Sequence, residues 1–317
     1  MMRIPLVSVV TSVSEGGRWL RPSLESVLRQ GLADWEFILI DDGSSDGSRE
    51  VLEDLARLDA RVRVFHQENS GLTRALNRGC SQARGEFIAR HDSDDLSGAA
   101  RFARQVTALT QRPSLGMVSC WSHALGPEDE ILQEIRRPED PAVATRLLVS
   151  GQEGPPGHGS VMFRRAHYEA VGGYREAFRY AQDWDLWLRL AELGQIGYVP
   201  AFLYAFRVGE NSISATRRSQ QLSLFELAKQ CRVARLRGVG EQPILQEATR
   251  VSAERPRAPR SRDGNAYFIG KCLLARRDPR AISYLRKSVW TRPWSARSWH
   301  ALLTAAILLR KPRGPTV

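Results

Sequence analysis

Cysteine is scarce and scattered. The chain of 317 residues holds four, Cys80, Cys120, Cys231 and Cys272, with no CxxC pair. That excludes a disulfide framework and a cysteine-built zinc site, and it fits a reducing cytoplasm. Long apolar runs are missing as well. The longest late run, Ala301 to Leu309, is about half of the roughly 18 residues that a membrane span requires. The early run Leu6 to Val10 follows Pro5 and is shorter than the core of a secretory leader, so it reads as a first buried strand. The patterns HExxH, GxSxG and GxxxxGKS/T do not occur, which argues against zinc peptidases, α/β-hydrolases and P-loop nucleotidases. At 42% hydrophobic and 26% charged residues, the composition rules out collagen, a disordered tail protein and a polytopic membrane protein. The length is enough for a full core and suggests two domains, or one with an appendage.

Acidic residues are scarce in the last third. Residues 1–215 carry 24 arginines against 29 acids, a net charge of −5, while residues 216–317 carry 22 Lys+Arg against 6 acids, a net charge of +16. The overall +11 is therefore a property of the tail. Such asymmetry points to two functional units, one of which faces something anionic.

What is present in the first 120 residues is alternation of strand and helix patterns. Leu6 to Val13 is apolar and β-rich, and Leu20, Leu24, Val27 and Leu28 follow at helical spacing. A second strand, Glu36 to Ile40, runs straight into Asp41-Asp42-Gly43-Ser44. A helix with Val51, Leu52, Leu55 and Leu58 on one side leads to a short strand, Val62 to Phe65. Leu72, Ala75, Leu76, Gly79, Cys80 and Ala83 form a helical stripe, and Glu86 to Arg90 is a fourth strand that ends at Asp92. This alternation predicts an open α/β sheet with helices on both faces. Further on, Gly151 to Gly159 reads as a Gly/Pro loop, Ser160 to Phe163 as a strand, and Asp183 to Leu193 as a helix. The pattern changes after Ser214. Helical stretches near 219–237 and 264–310 flank the Pro/Arg-rich segment Glu254 to Arg260. These features predict an α/β domain over 1–215 and a basic helical module over 216–317.

In open α/β sheets, ligands bind beyond the carboxyl ends of the strands. Two acidic clusters sit there: Asp41-Asp42, and Asp92-Ser93-Asp94-Asp95. Asp92 and Asp94 can aim at one hard cation or at a metal-bound diphosphate, since Mg²⁺ and Mn²⁺ take oxygen ligands and share their shell with phosphate and water. The same triplet also reads as a solvated turn capping the next helix. Asp41 can accept hydrogen bonds from a base or ribose, or can simply close an Asx turn. Asp183 is either an N-cap or a general base within reach of a sugar hydroxyl. Trp184 and Trp187 read as core, one of them able to stack on a sugar. His158, after the Gly/Pro loop, reads as a packing residue or a site residue.

Taken in order, the motifs SVSEGG, FILIDDGSSDGS, Asn69 to Asn77, GEFIARHDSDD, GHGSVMFRR, Val171 to Tyr174 and AQDWDLWLRLAELG closely resemble family 2 inverting glycosyltransferases of the GT-A fold. The resemblance covers residues 4–214. It implies a Rossmann-like, open, twisted and mostly parallel sheet flanked by helices, with a C-terminal helical extension. It also implies a nucleotide-diphosphate sugar donor, a glycan or lipid-linked glycan acceptor, and Mn²⁺ or Mg²⁺ as cofactor. By the same resemblance Asp41, with Asp42 beside it, is the nucleoside contact, and Glu15 borders the nucleotide. Asp92 lies near the ribose and diphosphate, Asp94 ligates the metal, and Asp183 is the catalytic base. His158 and Trp184 border the acceptor. Three positions depart from the family pattern. Val13-Ser14 replaces its Tyr-Asn, Gln182 replaces the acid before the base, and Gly209 stands where a late His would help to hold metal or diphosphate.

The tail, with Trp290, Trp294 and Trp299 among its cations, reads as a helical cap with its tryptophans in the core and its charge turned toward anionic lipid. Nucleic acid is the disfavoured partner. The implied location is cytoplasmic and peripheral at the inner face of the membrane. A nucleotidyltransferase is the first rival reading, but Ser12 to Arg18 is a poor phosphate-gripping loop. The second rival is a non-catalytic protein that binds a nucleotide-sugar or an anionic surface, which Gln182 and Gly209 keep in play.

Overall fold

The computed structural model describes residues 4–209, 217–254 and 265–309. Nine strands form one sheet: β1 (Val7–Val13), β2 (Trp35–Asp42), β3 (Val62–Gln67), β4 (Phe87–Arg90), β5 (Leu96–Ser97), β6 (Leu115–Leu125), β7 (Ile131–Ile135), β8 (Met162–Arg164) and β9 (Gln195–Arg207). Their order is β3-β2-β1-β4-β8-β6-β9-β5, with β7 paired to β6. Helices α1 (Leu20–Leu28), α2 (Ser48–Leu58) and α3 (Leu72–Ser81) are the crossovers between the first four strands, and α4 (Arg101–Gln111) follows β5. Then come α5 (Pro141–Ser150), α6 (Arg165–Ala170), α7 (Gln182–Leu190), α8 (Arg218–Leu236) and α9 (Gln242–Ala253), and finally α10 (Ala266–Ala275), α11 (Ala281–Thr291) and α12 (Ala296–Leu308).

The expected mostly parallel sheet is in fact mixed. Pairs β1–β2, β1–β4 and β2–β3 are parallel, whereas β4–β8, β6–β8 and β5–β9 are antiparallel. Parallel pairing needs a crossover of helix length, which α1, α2 and α3 provide. Beyond β4 the chain returns in the opposite sense: β6 and β8 are antiparallel although α5 lies in the connection between them.

Burial on both faces explains the near-continuous apolar strands. Trp35, Phe37 and Leu39 of β2 pack with α1, α2 and α4, while Ile38 and Ile40 pack on the other face with α3, α7, α8 and α9. Alternation along the pleat sends successive side chains to opposite cores.

The domain boundary expected near 215 lies outside the described residues. By contact, one compact unit comprises residues up to Ser122, Ile135–Phe206 and Gln221–Glu254. The other comprises His123–Glu134, the described residues from Arg207 to Gln220, and those beyond 264. Most of α8 and all of α9 thus belong with the sheet. A buried ion cluster ties them there. Asp185 of α7, 1% exposed, accepts from Arg175 Nε at 3.0 Å and from Arg189 Nη2 at 2.7 Å. Arg175 Nη1 also donates to Glu241 at 3.1 Å, and Arg235 of α8 bonds both Glu241 and, at 2.7 Å, Glu192.

In the second unit α10, α11 and α12 pack through Ile269, Leu273, Leu285, Ala301 and Ala305. A Cβ on Gly270 would lie 2.7 Å from Leu285 Cγ, which fixes the close approach of α10 to α11. The expectation that the tail tryptophans are core is overturned. Trp290 is 87% exposed, Trp294 95% and Trp299 46%. The small residues Ser298, Ala301 and Ala305 occupy the inner face of α12 instead. Among the described residues, no helix is long and apolar enough to cross a membrane.

Removing one member of a buried ion cluster leaves the others desolvated and unpaired. Asp185→Asn should therefore cost about 3–5 kcal/mol in urea denaturation. A loss of under about 1 kcal/mol, the value of an exposed pair, would contradict the structural role given to this cluster.

Candidate active site

Register brings the acids together. Val13 pairs with Asp41 across β1–β2, and Val10 pairs with Arg90 across β1–β4. The loops after β1, β2 and β4 therefore leave the sheet at one edge.

Glu15 sits just past β1 at φ 54°, a left-handed conformation for a non-glycine residue. Its Oε1 accepts from the Ser45 N–H at 2.9 Å and from Ser45 Oγ at 3.0 Å, and its own N–H donates to Ser44 Oγ at 3.3 Å. The loops after β1 and β2 are stitched together by these bonds. Asp41 and Asp42 are both buried. Asp41 accepts from the Ser44 N–H (3.0 Å), Arg49 Nε (3.1 Å) and His66 Nδ1 (2.8 Å). Burial alone would raise its pKa, but the bonds from His66, Ser44 and Arg49 outweigh burial and hold it below its ordinary value. Asp42 accepts from Gln67 Nε2 (2.7 Å) and from the N–H groups of Ser70 (2.8 Å) and Gly71 (2.9 Å), and so pins the start of α3.

The Asp92–Asp95 turn is built around a buried cation. Arg90 is 1% exposed. Its Nη2 donates to Asp92 Oδ1 at 2.6 Å, its Nη1 to the carbonyls of Val10 and His91, and its Nε to His158 Nε2 at 3.3 Å. His158 Nε2 also accepts from Tyr174 Oη at 2.8 Å. Burial and then the Arg90 charge push the His158 pKa well below its ordinary value, so this imidazole is a neutral acceptor. A second buried arginine, Arg101, donates to the Arg90 carbonyl at 2.6 Å and to the Gly159 carbonyl at 2.9 Å. Tyr204 of β9 accepts from the Asp92 N–H at 3.2 Å and donates to Asp95 at 2.7 Å. Asp94 is exposed at the tip of the turn.

Asp183 lies in the first turn of α7 rather than at the cap, which is Ala181. Its Oδ1 accepts from the Trp184 N–H at 2.9 Å. Burial pushes its carboxyl up to about 7. The Trp184 N–H opposes that rise, the nearby Asp92 charge adds to it, and Arg90 counters it. Asp183, Asp92, Arg90, His158 and Tyr174 therefore form one electrostatic cluster. Trp184 is half-buried with its ring edge-on to Phe225, centroids 3.7 Å apart. Trp187 is core, 5.9 Å from Phe163.

Three groups escaped the sequence reading: Arg90, Tyr204 and the His66–Arg49 pair on Asp41. Arg90 stands inside the quoted GEFIARHDSDD stretch, where an arginine within an otherwise apolar strand is the visible signal. Tyr204 gives none, being separated from Asp92 by 112 positions.

Among the described residues, no group of three or more His, Cys, Asp or Glu is arranged to hold a metal ion. Asp92 and Asp94 offer hard oxygen donors, and one Asp92 oxygen is engaged by Arg90. Such a pair fits a cation that completes its shell with diphosphate and water, and does not fit one held by protein alone.

A sheet whose parallel half ends in acids, with the half-buried carboxyl of Asp183 coupled electrostatically to one of them, defines a Rossmann-like α/β fold of the GT-A type. The chain belongs to glycosyl transferase family 2, whose family model matches residues 8–172. It is 34% identical over 225 residues, covering 69% of this chain and 78% of the other, to EpsE of Bacillus subtilis (strain 168), a provisionally named glycosyltransferase. Its fold matches that of the mannosyltransferase PcManGT from Pyrobaculum calidifontis, solved with GDP-Man and Mn²⁺. The TM-score is 0.57 at 20% identity, over 97% of this chain and 88% of that one. It also matches S. aureus TarS 1-349 solved with UDP-GlcNAc, with a TM-score of 0.61 at 14% identity over 96% and 89%. The protein is a nucleotide-sugar-dependent glycosyltransferase.

Two outcomes follow for the site's framework. A Cβ at Gly159 would fall 1.9 Å from Tyr204 Oη and 2.8 Å from the Asp92 nitrogen. Gly159→Ala should cost roughly 1–3 kcal/mol in thermal or urea unfolding. Adding Tyr204→Phe should restore part of that loss, and strictly additive effects would contradict the packing described. His66 is raised above its ordinary 6.5 by Asp41 first and then Glu53, with burial and Arg49 opposing. A raised pKa means that its stabilisation is complete below 6.5 and fades as pH rises through the folded value. His66→Gln should lower Tm more at about pH 6 than at about pH 9. An equal loss at both would remove the ion pair from the account.

Proposed function

We propose that this enzyme transfers a sugar from a nucleoside-diphosphate donor to a hydroxyl of a glycan or lipid-linked glycan, with inversion at the anomeric carbon and Asp183 as general base. The observation that carries this reading is the position of Asp183. It is a half-buried carboxyl, electrostatically coupled to Asp92 at the edge where the parallel strands end. A base with a pKa near neutrality holds enough ionised form to act and enough basicity to take a hydroxyl proton.

In this mechanism Glu15, Asp41 and Asp42 shape the nucleoside pocket. Asp92, oriented by Arg90, faces the ribose and diphosphate. Asp94 and Asp92 would hold Mn²⁺ or Mg²⁺ together with diphosphate oxygens. When bound, that ion supplies positive charge against the charge that develops on the leaving nucleotide. His158 and Trp184 border the acceptor, the imidazole staying neutral so that it adds no competing charge beside Asp183. Attack comes from the face opposite the leaving group, and Asp183 takes the acceptor's proton as the new bond forms. The solved neighbours, bound to GDP-Man and Mn²⁺ in one case and UDP-GlcNAc in the other, support a nucleotide-sugar donor without choosing between nucleotides. A cytoplasmic location is part of the same proposal, since nucleotide-sugar and a reducing environment for four free cysteines would meet there.

Turnover with saturating donor should fall about tenfold per pH unit below about 7, following the ionisation of Asp183. Asp183→Asn should abolish turnover while leaving the protein at least as stable above neutral pH. A carboxyl with a raised folded pKa costs stability once ionised, so its removal relieves that cost. Turnover retained in Asp183→Asn, or a large loss of Tm in that variant, would contradict the assignment.

A further inference from the structure

The last turn and helix of the second unit present an apolar face to solvent. Within α12, Ser298, Ala301 and Ala305 are buried, while Trp299, Leu303 and Ile307 recur at i, i+4 and i+8 on the outside. Trp290 at the end of α11, Trp294 in the following turn and Leu308 extend this surface. The Trp299 indole N–H donates to the Pro293 carbonyl at 2.8 Å, which holds the turn and the helix in one arrangement. Along this stretch of sequence the charge has one sign. From Pro279 to Val317 the sequence has eight Lys+Arg and no Asp or Glu.

We infer that this face is an anchor for an anionic lipid surface, with α12 lying in the plane of the interface. Indole rings seat well at the boundary between headgroups and acyl chains, because each has an apolar body and one N–H donor. Leu303, Ile307 and Leu308 line a helix about 20 Å long that would sink its apolar side below the headgroups while the cations stay among the phosphates. The aliphatic row decides between partners. Nucleic acid could stack on the tryptophans and pair with the cations, but it offers nothing to three exposed aliphatic side chains. A second copy of this face would bring cation against cation.

The test uses the full chain and co-sedimentation with vesicles of phosphatidylcholine alone or mixed with phosphatidylglycerol. Two variants, Trp290→Ser/Trp294→Ser and Leu303→Gln/Ile307→Gln, change only exposed side chains, and unaltered thermal unfolding verifies their folding. The wild type should partition onto the mixed vesicles and barely onto the neutral ones, and each variant should weaken partitioning about tenfold. Equal partitioning of the wild type and both variants would overturn the proposal. So would capture by a single-stranded oligonucleotide with no vesicle binding. Dimerisation of the wild type that both variants abolish, again with no vesicle binding, would overturn it too.

Discussion

Burial of the Arg90 guanidinium is the constraint on which the rest of the site depends. A cation withdrawn from water must find partners for its N–H groups or pay several kcal/mol. Arg90 finds them in Val10, His91, Asp92 and His158. Two of these partners follow Arg90 directly in the chain and two are distant, Val10 in β1 and His158 after the Gly/Pro loop, so satisfying one side chain aligns β1, the acidic turn and that loop. Arg101 then clamps the Arg90 and Gly159 carbonyls, and Tyr204 holds both ends of the turn. Asp92 is thereby oriented beside a cation, and Asp183 feels both. Partial burial of the Asp183 carboxyl, with the Asp92 charge adding to it, raises its pKa.

A second ion cluster performs a different task. Asp183 and Asp185 are two residues apart on α7, yet one is coupled to Asp92 and Arg90 and the other belongs to the anchoring network of Arg175, Arg189 and Glu241. Fixing Asp185 fixes the helix that carries Asp183. The basic end of the chain, with eight Lys+Arg and no acid after Asp278, also carries the exposed Trp290, Trp294 and Trp299.

The first four strands were legible because they are apolar runs separated by helical stripes, and crossover pairing follows from that alternation. The acidic turn at Asp92–Asp95 and the helix of Asp183 were legible from local pattern and from family resemblance. The antiparallel half of the sheet was not, since β5 is two residues long and pairs with a strand more than 100 positions away. Tyr204 and the Arg175–Glu241 pair were hidden for the same reason. The tail tryptophans misled for a physical reason. The helix of Trp299 repeats large apolar residues at core-like spacing, but alanines and a serine on the opposite side make the closer packing surface, so its large residues face outward.

The central claim is that the acids at the carboxyl edge form a donor site. It is tested most directly by calorimetric titration of UDP, dTDP, GDP and CMP into wild type and Asp94→Ala, each with and without Mn²⁺. The account predicts metal-dependent binding of one of these nucleotides to the wild type, lost in Asp94→Ala. Binding that is indifferent to both the metal and the substitution, or no binding of any nucleotide by folded protein, would contradict it.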